Sequence, residues 1–293
     1  MDQRSFLLIA NPEAGRGRGK KIAEKVRTTL QAHFPVTCCY PVDEKHLWEI
    51  TKEKADGHSD IVVVGGDGTI HQVVNAMGPN HLSTLCIVPA GTGNDFTKVV
   101  DIGKTLYDQI NTILNGKTRT IDLGICNERL FINGVGIGFD GQIVYEMLHR
   151  KTWLSGHAAY YYHVLRILAG YKERPFNLLL DSIQYQKDLI LMTVGNGTTF
   201  GGGFKLTPNA AIDDGLLDIC LVGKLSPLRR FLNVPKLSNG SHLSLPEIEE
   251  RRVKEVEVKG NDLLEAHIDG EYLGKPPFNI KVLPKALSVR VRH

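Results

Sequence analysis

Four consecutive apolar residues, Ile61, Val62, Val63 and Val64, run directly into Gly65-Gly66-Asp67-Gly68-Thr69, and Ile70, Val73, Val74 and Met77 follow at helical spacing. Strand, glycine turn and helix in that order restrict this region to a βα unit. Glycines in such a turn let backbone N–H groups approach an anion closely, and the helix start adds partial positive charge. Asp67 is not a phosphate binder by itself. A carboxylate among phosphate-cradling amides makes sense where a metal ion bridges it to the phosphates. Taken alone, the run is equally well a tight turn with Asp67 capping the helix.

The same alternation fills the first ~120 residues. Strands are expected at 5–10, 36–40, 60–64 and 85–88. Helices are expected at 20–34, at 44–55, from Thr69, from a start at Asn94, and at 104–114. Alternation of this kind predicts a parallel sheet covered on both faces, with ligands at the C-terminal ends of its strands. After Ile121-Asp122 the texture changes. Strand-like runs appear at 130–135, 178–180, 189–194, 216–222, 253–258, 263–268, 278–283 and 287–291, several alternating apolar with polar residues. They predict an antiparallel β-sandwich, interrupted by helical stretches at 142–149 and 156–169. The stretch 236–246 reads as a loop. A chain of 293 residues suits about two domains, expected at 1–122 (α/β) and 123–293 (β-sandwich).

Two more loops share the strand–turn–helix setting. Asn11-Pro12-Glu13-Ala14-Gly15-Arg16-Gly17-Arg18-Gly19-Lys20 fails as a Walker A loop, having Ala14 and Lys21 where Gly and Ser/Thr are needed. It fails as a dinucleotide fingerprint because position 20 is Lys. A basic glycine-rich turn at a helix start still suits polyphosphate. Pro89-Ala90-Gly91-Thr92-Gly93-Asn94-Asp95-Phe96 follows the fourth strand, with Asn94 or Asp95 as N-cap. Three such loops on one sheet would converge on a common crevice. The second half adds Asp213-Asp214-Gly215 and Asp269-Gly270-Glu271, each readable as a plain turn. Glu271 has a second reading, since a positioned carboxylate can take the proton of a hydroxyl that accepts a phosphoryl group.

The charge balance of +3 is too small to argue for nucleic acid. The five cysteines form no CxxC pair, which fits reduced thiols, with Cys86 and Cys220 as core residues. No stretch approaches the ~20 apolar residues of a membrane span. A cytoplasmic protein is therefore expected, working on any lipid from the inner membrane surface. Trp153-Leu154 and Tyr160-Tyr161-Tyr162, near Arg150 and Lys151, read first as a core-packed helix with ordinary flanks and second as an interfacial face.

These motifs, in order and nearly end to end, resemble the diacylglycerol kinase catalytic-domain family, the soluble bacterial lipid kinases related to sphingosine and ceramide kinases. The resemblance is carried by Asn11-Pro12 with Gly15, Gly65 to Thr69 with Val73-Val74-Asn75, Pro89 to Phe96, and Asp122-Leu123-Gly124. It continues in Phe131-Ile132-Asn133 with Gly136 to Asp140, Gly195-Asn196, Asp214 to Asp218, and Asp269-Gly270-Glu271. It implies an ATP-dependent lipid kinase, most simply of diacylglycerol, with its active site in the cleft between the domains. ATP would be bound by Asn11, Pro12, Glu13, Ala14 and Gly15, by Gly66, Asp67, Gly68, Thr69, Ile70, His71 and Gln72, and by Thr92. Asp67 would serve Mg²⁺–ATP and Asp95 would lie near the nucleotide. Glu271 would be the general base, with Asp269 nearby for metal or proton handling.

The Asp214 side chain with the Ala211 and Leu216 carbonyls would match the family's structural Mg²⁺ site, an oxygen-only set suited to a hard cation. There are departures. Ala14 stands where relatives often have Ser, and Cys39-Tyr40-Pro41-Val42 replaces a Thr-rich stretch, so no adenine-side Thr contact carries over. His71-Gln72 replaces an Asn-Glu pair, and His71 reads as a surface helix histidine. NAD kinases resemble the chain at Gly65 to Thr69, so phosphorylation of a nucleotide ribose is the rival activity. A non-catalytic lipid or nucleotide sensor on a kinase fold is the rival of another class. An exposed sandwich edge could pair two subunits.

Overall fold

The computed structural model describes residues 4–150 and 157–293. Two compact units form, Met1–Leu123 with Pro284–His293, and Gly124–Leu283.

The first unit is built on β1 (Phe6–Ala10), β2 (Val36–Cys39), β3 (Asp60–Gly65) and β4 (Thr84–Pro89), parallel and in the order β2-β1-β3-β4. Every residue of β1 and β3 is buried, as their unbroken apolar runs require in a sheet covered on both faces. The helix Gly19–Gln31 lays Ala23, Val26 and Leu30 onto Leu8, Val62 and Val64. Local capping sets two helix starts. The Asp43 carboxylate accepts from the His46 N–H to open Glu44–Lys54, and Thr105 and Asp108 form a reciprocal capping box at Leu106–Asn115. The start expected at Asn94 is a short 3-10 turn instead, Phe96–Lys98. Asn94 is left-handed (φ 49°) and turns its side chain back onto Gly91, so no helix can run through it.

β5 (Lys117–Cys126) leads out of this unit. The second unit contains β6 (Arg129–Phe131), β7 (Gly134–Gly138), β8 (Arg174–Leu180), β9 (Ile183–Leu189), β10 (Leu191–Gly195), β11 (Leu217–Val222), β12 (Ile248–Val253), β13 (Glu255–Val258), β14 (Ala266–Ile268) and β15 (Glu271–Gly274). One antiparallel sheet runs β12-β11-β10-β7-β14-β15. Facing it are β13, β8 and β9 with the first half of β16 (Phe278–Val291), also antiparallel. Val135, Ile137, Met192, Val194, Leu217 and Ile219 from one sheet share a core with Leu178, Leu180, Val256, Val258, Phe278 and Ile280 from the other. This is the sandwich.

Sequence periodicity misses β9, β12 and β15 because they are largely polar or only half-buried. The runs expected at 278–283 and 287–291 form one strand, β16. The last ten residues of the chain, Pro284–His293, and with them the end of β16, belong to the first unit, where a single division at 122/123 is expected. Val289 pairs in parallel with Leu85, the Lys285 N–H donates to Asp122, and Arg290 reaches Asp60. Helices Phe139–His149, His157–Leu168 and Pro227–Asn233 complete the second unit, and 236–246 holds two 3-10 turns.

Candidate active site

In the first unit the strand order places a topological switch between β1 and β3, where ligands of open α/β sheets sit at the strand C-termini. The three glycine loops meet there. A Cβ on Gly15 would stand 2.6 Å from the Ala90 carbonyl oxygen, and one on Gly91 would stand 2.5 Å from the Gly66 Cα. Only glycine allows backbones this close. The Asn11 N–H donates to the Val64 carbonyl and the Ala90 N–H to that of Gly65, fastening each neighbouring loop to β3. The Asp67 carboxylate accepts from the Phe96 N–H at 3.3 Å, tying the second loop to the third.

Gly66 caps the helix Asp67–Met77 without a side-chain acceptor. The second glycine loop therefore ends at the positive end of an 11-residue helix whose first-turn amides have no intrahelical acceptor. Gly15 (φ 62°) and Arg16 (φ 62°) are both left-handed, so the first loop is a turn reversing into the helix at Gly19 rather than part of it. Arg18 Nε donates to the Gly15 carbonyl, and the Glu13 N–H to Asn11 Oδ1.

Asn11, Pro12, Ala14, Gly15, Gly66, Asp67, Gly68 and Gln72 are partly exposed, and Glu13 and Thr92 are open to solvent. Thr69 packs on Gly65, and Ile70 is wholly buried, so Ile70 can serve the site only through its backbone. Asp95 is mostly buried and pairs with Lys98 at 2.7 Å. His71 corrects an expectation: it is 2% exposed although it shares the polar stripe of its helix with Asp67 and Asn75, and Asn75 Nδ2 donates to its carbonyl.

In the second unit, Asp269 (φ 48°) and Gly270 (φ 88°) are the two central residues of the hairpin joining β14 to β15, in which Ile268 pairs with Glu271. Both left-handed residues suit a tight turn of the type that Asp-Gly favours. The Asp269 carboxylate accepts three backbone N–H groups, from Ile132 at 2.8 Å, Asn133 at 3.0 Å and Gly134 at 2.8 Å. That engagement makes it an anchor of the turn. Glu271 is partly exposed and pairs with Arg129 at 2.8 Å.

Among the described residues, no group of three or more His, Cys, Asp or Glu side chains is placed to hold a metal. A cation at the Asp214 set would therefore depend on the Ala211 and Leu216 carbonyls. Asp214 Oδ1 accepts from the Leu216 N–H and Oδ2 is paired with Arg252. Asp218 is buried with neither carboxylate oxygen hydrogen-bonded, and Arg252 Nε stands 3.7 Å away. Burial first and the Glu250 charge second push the Asp218 carboxyl up to about 6. An oxygen-only set with an unsatisfied buried carboxylate close by fits a hard cation, which would compete with Arg252 for Asp214.

Residues 5–126 match the model of the diacylglycerol kinase catalytic domain, and residues 133–291 match that of the YegS C-terminal NAD kinase beta sandwich-like domain. A diacylglycerol kinase of Mycobacterium tuberculosis (strain ATCC 25618 / H37Rv) is 31% identical over 298 residues, 97% of this chain and 94% of that one. The chain belongs to the diacylglycerol kinase family. Another relative, the diacylglycerol kinase of Bacillus subtilis (strain 168), is 29% identical over 92% of this chain and 90% of its own. The fold agrees. A diacylglycerol kinase crystal structure from Bacillus anthracis str. Sterne superposes with a TM-score of 0.77 at 24% identity, covering 99% of this chain and 97% of that one. An NAD kinase from Archaeoglobus fulgidus, solved in complex with ATP, has a TM-score of 0.54 at 13% identity, over 99% of this chain and 94% of its own.

Membership of the diacylglycerol kinase family makes the chain a kinase. Among the described residues no helix is long and apolar enough to cross a membrane. Sequence reading passed over several buried or half-buried polar groups in these units. Arg129 is the ion-pair partner of Glu271, Asp122 holds the Lys285 amide, and Asp140 and His267 lie beside the Asp269–Gly270 turn. Asp122 and Asp140 stood inside quoted motifs. Their signal was a carboxylate in or beside an apolar run, where burial demands a partner.

Proposed function

We propose that the protein is an ATP-dependent lipid kinase that transfers the γ-phosphoryl group to a lipid hydroxyl, most simply that of diacylglycerol. The convergence of the three glycine loops at the β1/β3 switch carries this reading, because glycine turns and a helix start brought together suit a polyphosphate. The residues that would hold ATP are Asn11 to Gly15, Gly66 to Gln72 and Thr92, with Asp95 nearby. Asp67 would take the nucleotide's Mg²⁺, which neutralises charge on the transferring group when bound. Asp214 with the Ala211 and Leu216 carbonyls would hold a second, structural Mg²⁺. Glu271 removes the proton of the acceptor hydroxyl and Asp269 holds its turn in place. With little covalent work for the protein, positioning and charge neutralisation supply most of the rate.

The lipid part draws on the second unit. A cavity of about 110 Å³ lies among helices Phe139–His149, His157–Leu168 and Pro227–Asn233, with walls that include Ile143, Val164, Leu168, Leu225 and Val234. Its apolar lining suits an acyl chain. The same helices expose Leu148, Leu165, Leu228 and Leu232 beside Arg150, Arg166 and Arg229, a composition that suits contact with an anionic membrane. Trp153, Leu154 and Lys151, and the side chains of Tyr160 and Tyr161, lie outside the described residues.

The test is incubation with labelled ATP and Mg²⁺, offering diacylglycerol, other lipid alcohols and NAD in parallel. Label is expected in phosphatidic acid. Label entering NAD, or no acceptor at all, overturns the reading.

A further inference from the structure

Three neighbouring strands of the second unit bring small and polar residues to one level. His267 on β14 lies opposite Gly136 on β7, and Gly136 opposite Thr193 on β10. The Asp140 carboxylate, from the first turn of Phe139–His149, sits over Gly136. A Cβ on that glycine would stand 2.1 Å from Asp140 Oδ2 and 2.4 Å from His267 Nε2. Two polar groups thus meet above a position that only glycine leaves open. Both are largely buried, at 7% exposure each.

The cluster has a direction. The Gly270 N–H donates to His267 Nδ1 at 3.3 Å, so the neutral imidazole carries its proton on Nε2. Nε2 faces Asp140 Oδ2 at 3.6 Å. Asp140 is itself fixed by the Gly141 N–H at 3.0 Å and the Thr193 hydroxyl at 3.4 Å. Gly270 is the second residue of the tight turn, and the next residue is Glu271. The other turn residue, Asp269, is held by three amides of residues 132–134.

We propose that His267 is a positioning residue for Glu271: oriented by Asp140, its Nδ1 fixes the Gly270 amide and with it the backbone from which the Glu271 carboxylate projects. The proposal rests on Glu271 acting as the base of the lipid kinase reaction. It assigns His267 no proton transfer and no contact with substrate. A displacement of a reacting group by about 1 Å can slow a positioned reaction by about 10²-fold.

Three variants separate the parts of the imidazole. His267→Asn retains an acceptor close to the Nδ1 position. His267→Gln reaches toward Asp140 but offers Gly270 no acceptor, and His267→Leu offers neither. Amide hydrogen exchange at Gly270 is followed by NMR on the substrate-free protein, and kcat and the KM for ATP are measured with diacylglycerol. Loss of one hydrogen bond is expected to raise Gly270 exchange about 10-fold in the Gln and Leu variants and to lower kcat by a similar factor. The KM for ATP stays within about twofold, and the Asn variant restores both readouts to within about threefold of the wild type. Unchanged Gly270 exchange in the Gln variant overturns the proposal, as does equal loss in Asn and Gln. Should Leu fail to fold, the Asn–Gln pair decides alone. If Glu271→Gln itself retains turnover, the reading of the base fails instead, and the exchange data still judge whether His267 holds the turn.

Discussion

The two units use backbone amides in opposite ways. At the β1/β3 switch of the first unit, closely packed glycine turns meet a helix start whose first-turn amides receive no side-chain cap. At the β14–β15 hairpin of the second, three amides of residues 132–134 turn inward onto the Asp269 carboxylate of the protein itself. The first arrangement suits an anionic ligand; the second spends its donors on rigidity. The neighbouring Glu271, paired with Arg129, is the group that this rigidity would aim in the proposed reaction.

The largest effect is expected at that aimed group. Glu271→Gln should lower kcat by about 10²–10⁴-fold while leaving ATP binding, followed by calorimetry, essentially intact. Retained turnover would remove the functional half of the contrast. Next come the anchoring carboxylates, satisfied by side chains in one unit and by backbone in the other. Asp60, at the start of β3, is paired with Arg4 at 2.9 Å and Arg290 at 2.6 Å. Burial pushes its carboxyl upward, but the guanidinium groups and the Ser59 hydroxyl outweigh that and hold it below the ordinary 3.8.

Asp60→Asn should therefore cost about 2–4 kcal/mol at pH 7 in urea unfolding. The sign follows from linkage. A lowered pKa adds stability above the ordinary value and loses it as pH falls through the folded value, so the two proteins should converge in acid. Asp269→Asn, which keeps an acceptor but loses its charge, should cost less, about 1–2 kcal/mol, and should raise amide exchange at residues 132–134. A larger loss at Asp269 than at Asp60 would reverse the ranking. The smallest effect is expected where amides merely wait for a ligand. Gly91→Ala presses a methyl group against Gly66 and should weaken ATP binding about 10-fold by calorimetry, with kcat at saturating ATP little changed.

The first unit was the more legible. β1, β3 and β4 are continuous apolar runs, and a buried parallel strand needs no other signal. The glycine loops could be placed at the strand ends because chain order and strand order are linked in such sheets. In the second unit β9, β12 and β15 escaped notice, since their residues face water on one side or lie at an edge. The tight turn at Asp269-Gly270 was readable from its two residues. Its anchoring was not, since the amides that hold it lie more than 130 residues earlier. His71 was misread for a related reason. His71 lies on the polar stripe of its helix, in line with Asp67 and Asn75, so periodicity points it to solvent, and its burial is decided by neighbouring elements.

Local chemistry therefore fixes the vocabulary of this protein: glycines where backbones must touch, apolar runs where strands are covered, Asp-Gly where the chain reverses. These depend on φ, ψ and nearest neighbours, which the order of residues carries within a few positions. The partners of its charged groups depend on which strands lie side by side. Gly136 opposite His267, Arg129 beside Glu271 and Asp60 between Arg4 and Arg290 join residues far apart in the chain. Strand register sets the first pair, and packing between elements that are not paired strands sets the other two, because these interactions act over a few ångströms and carry no memory of sequence distance.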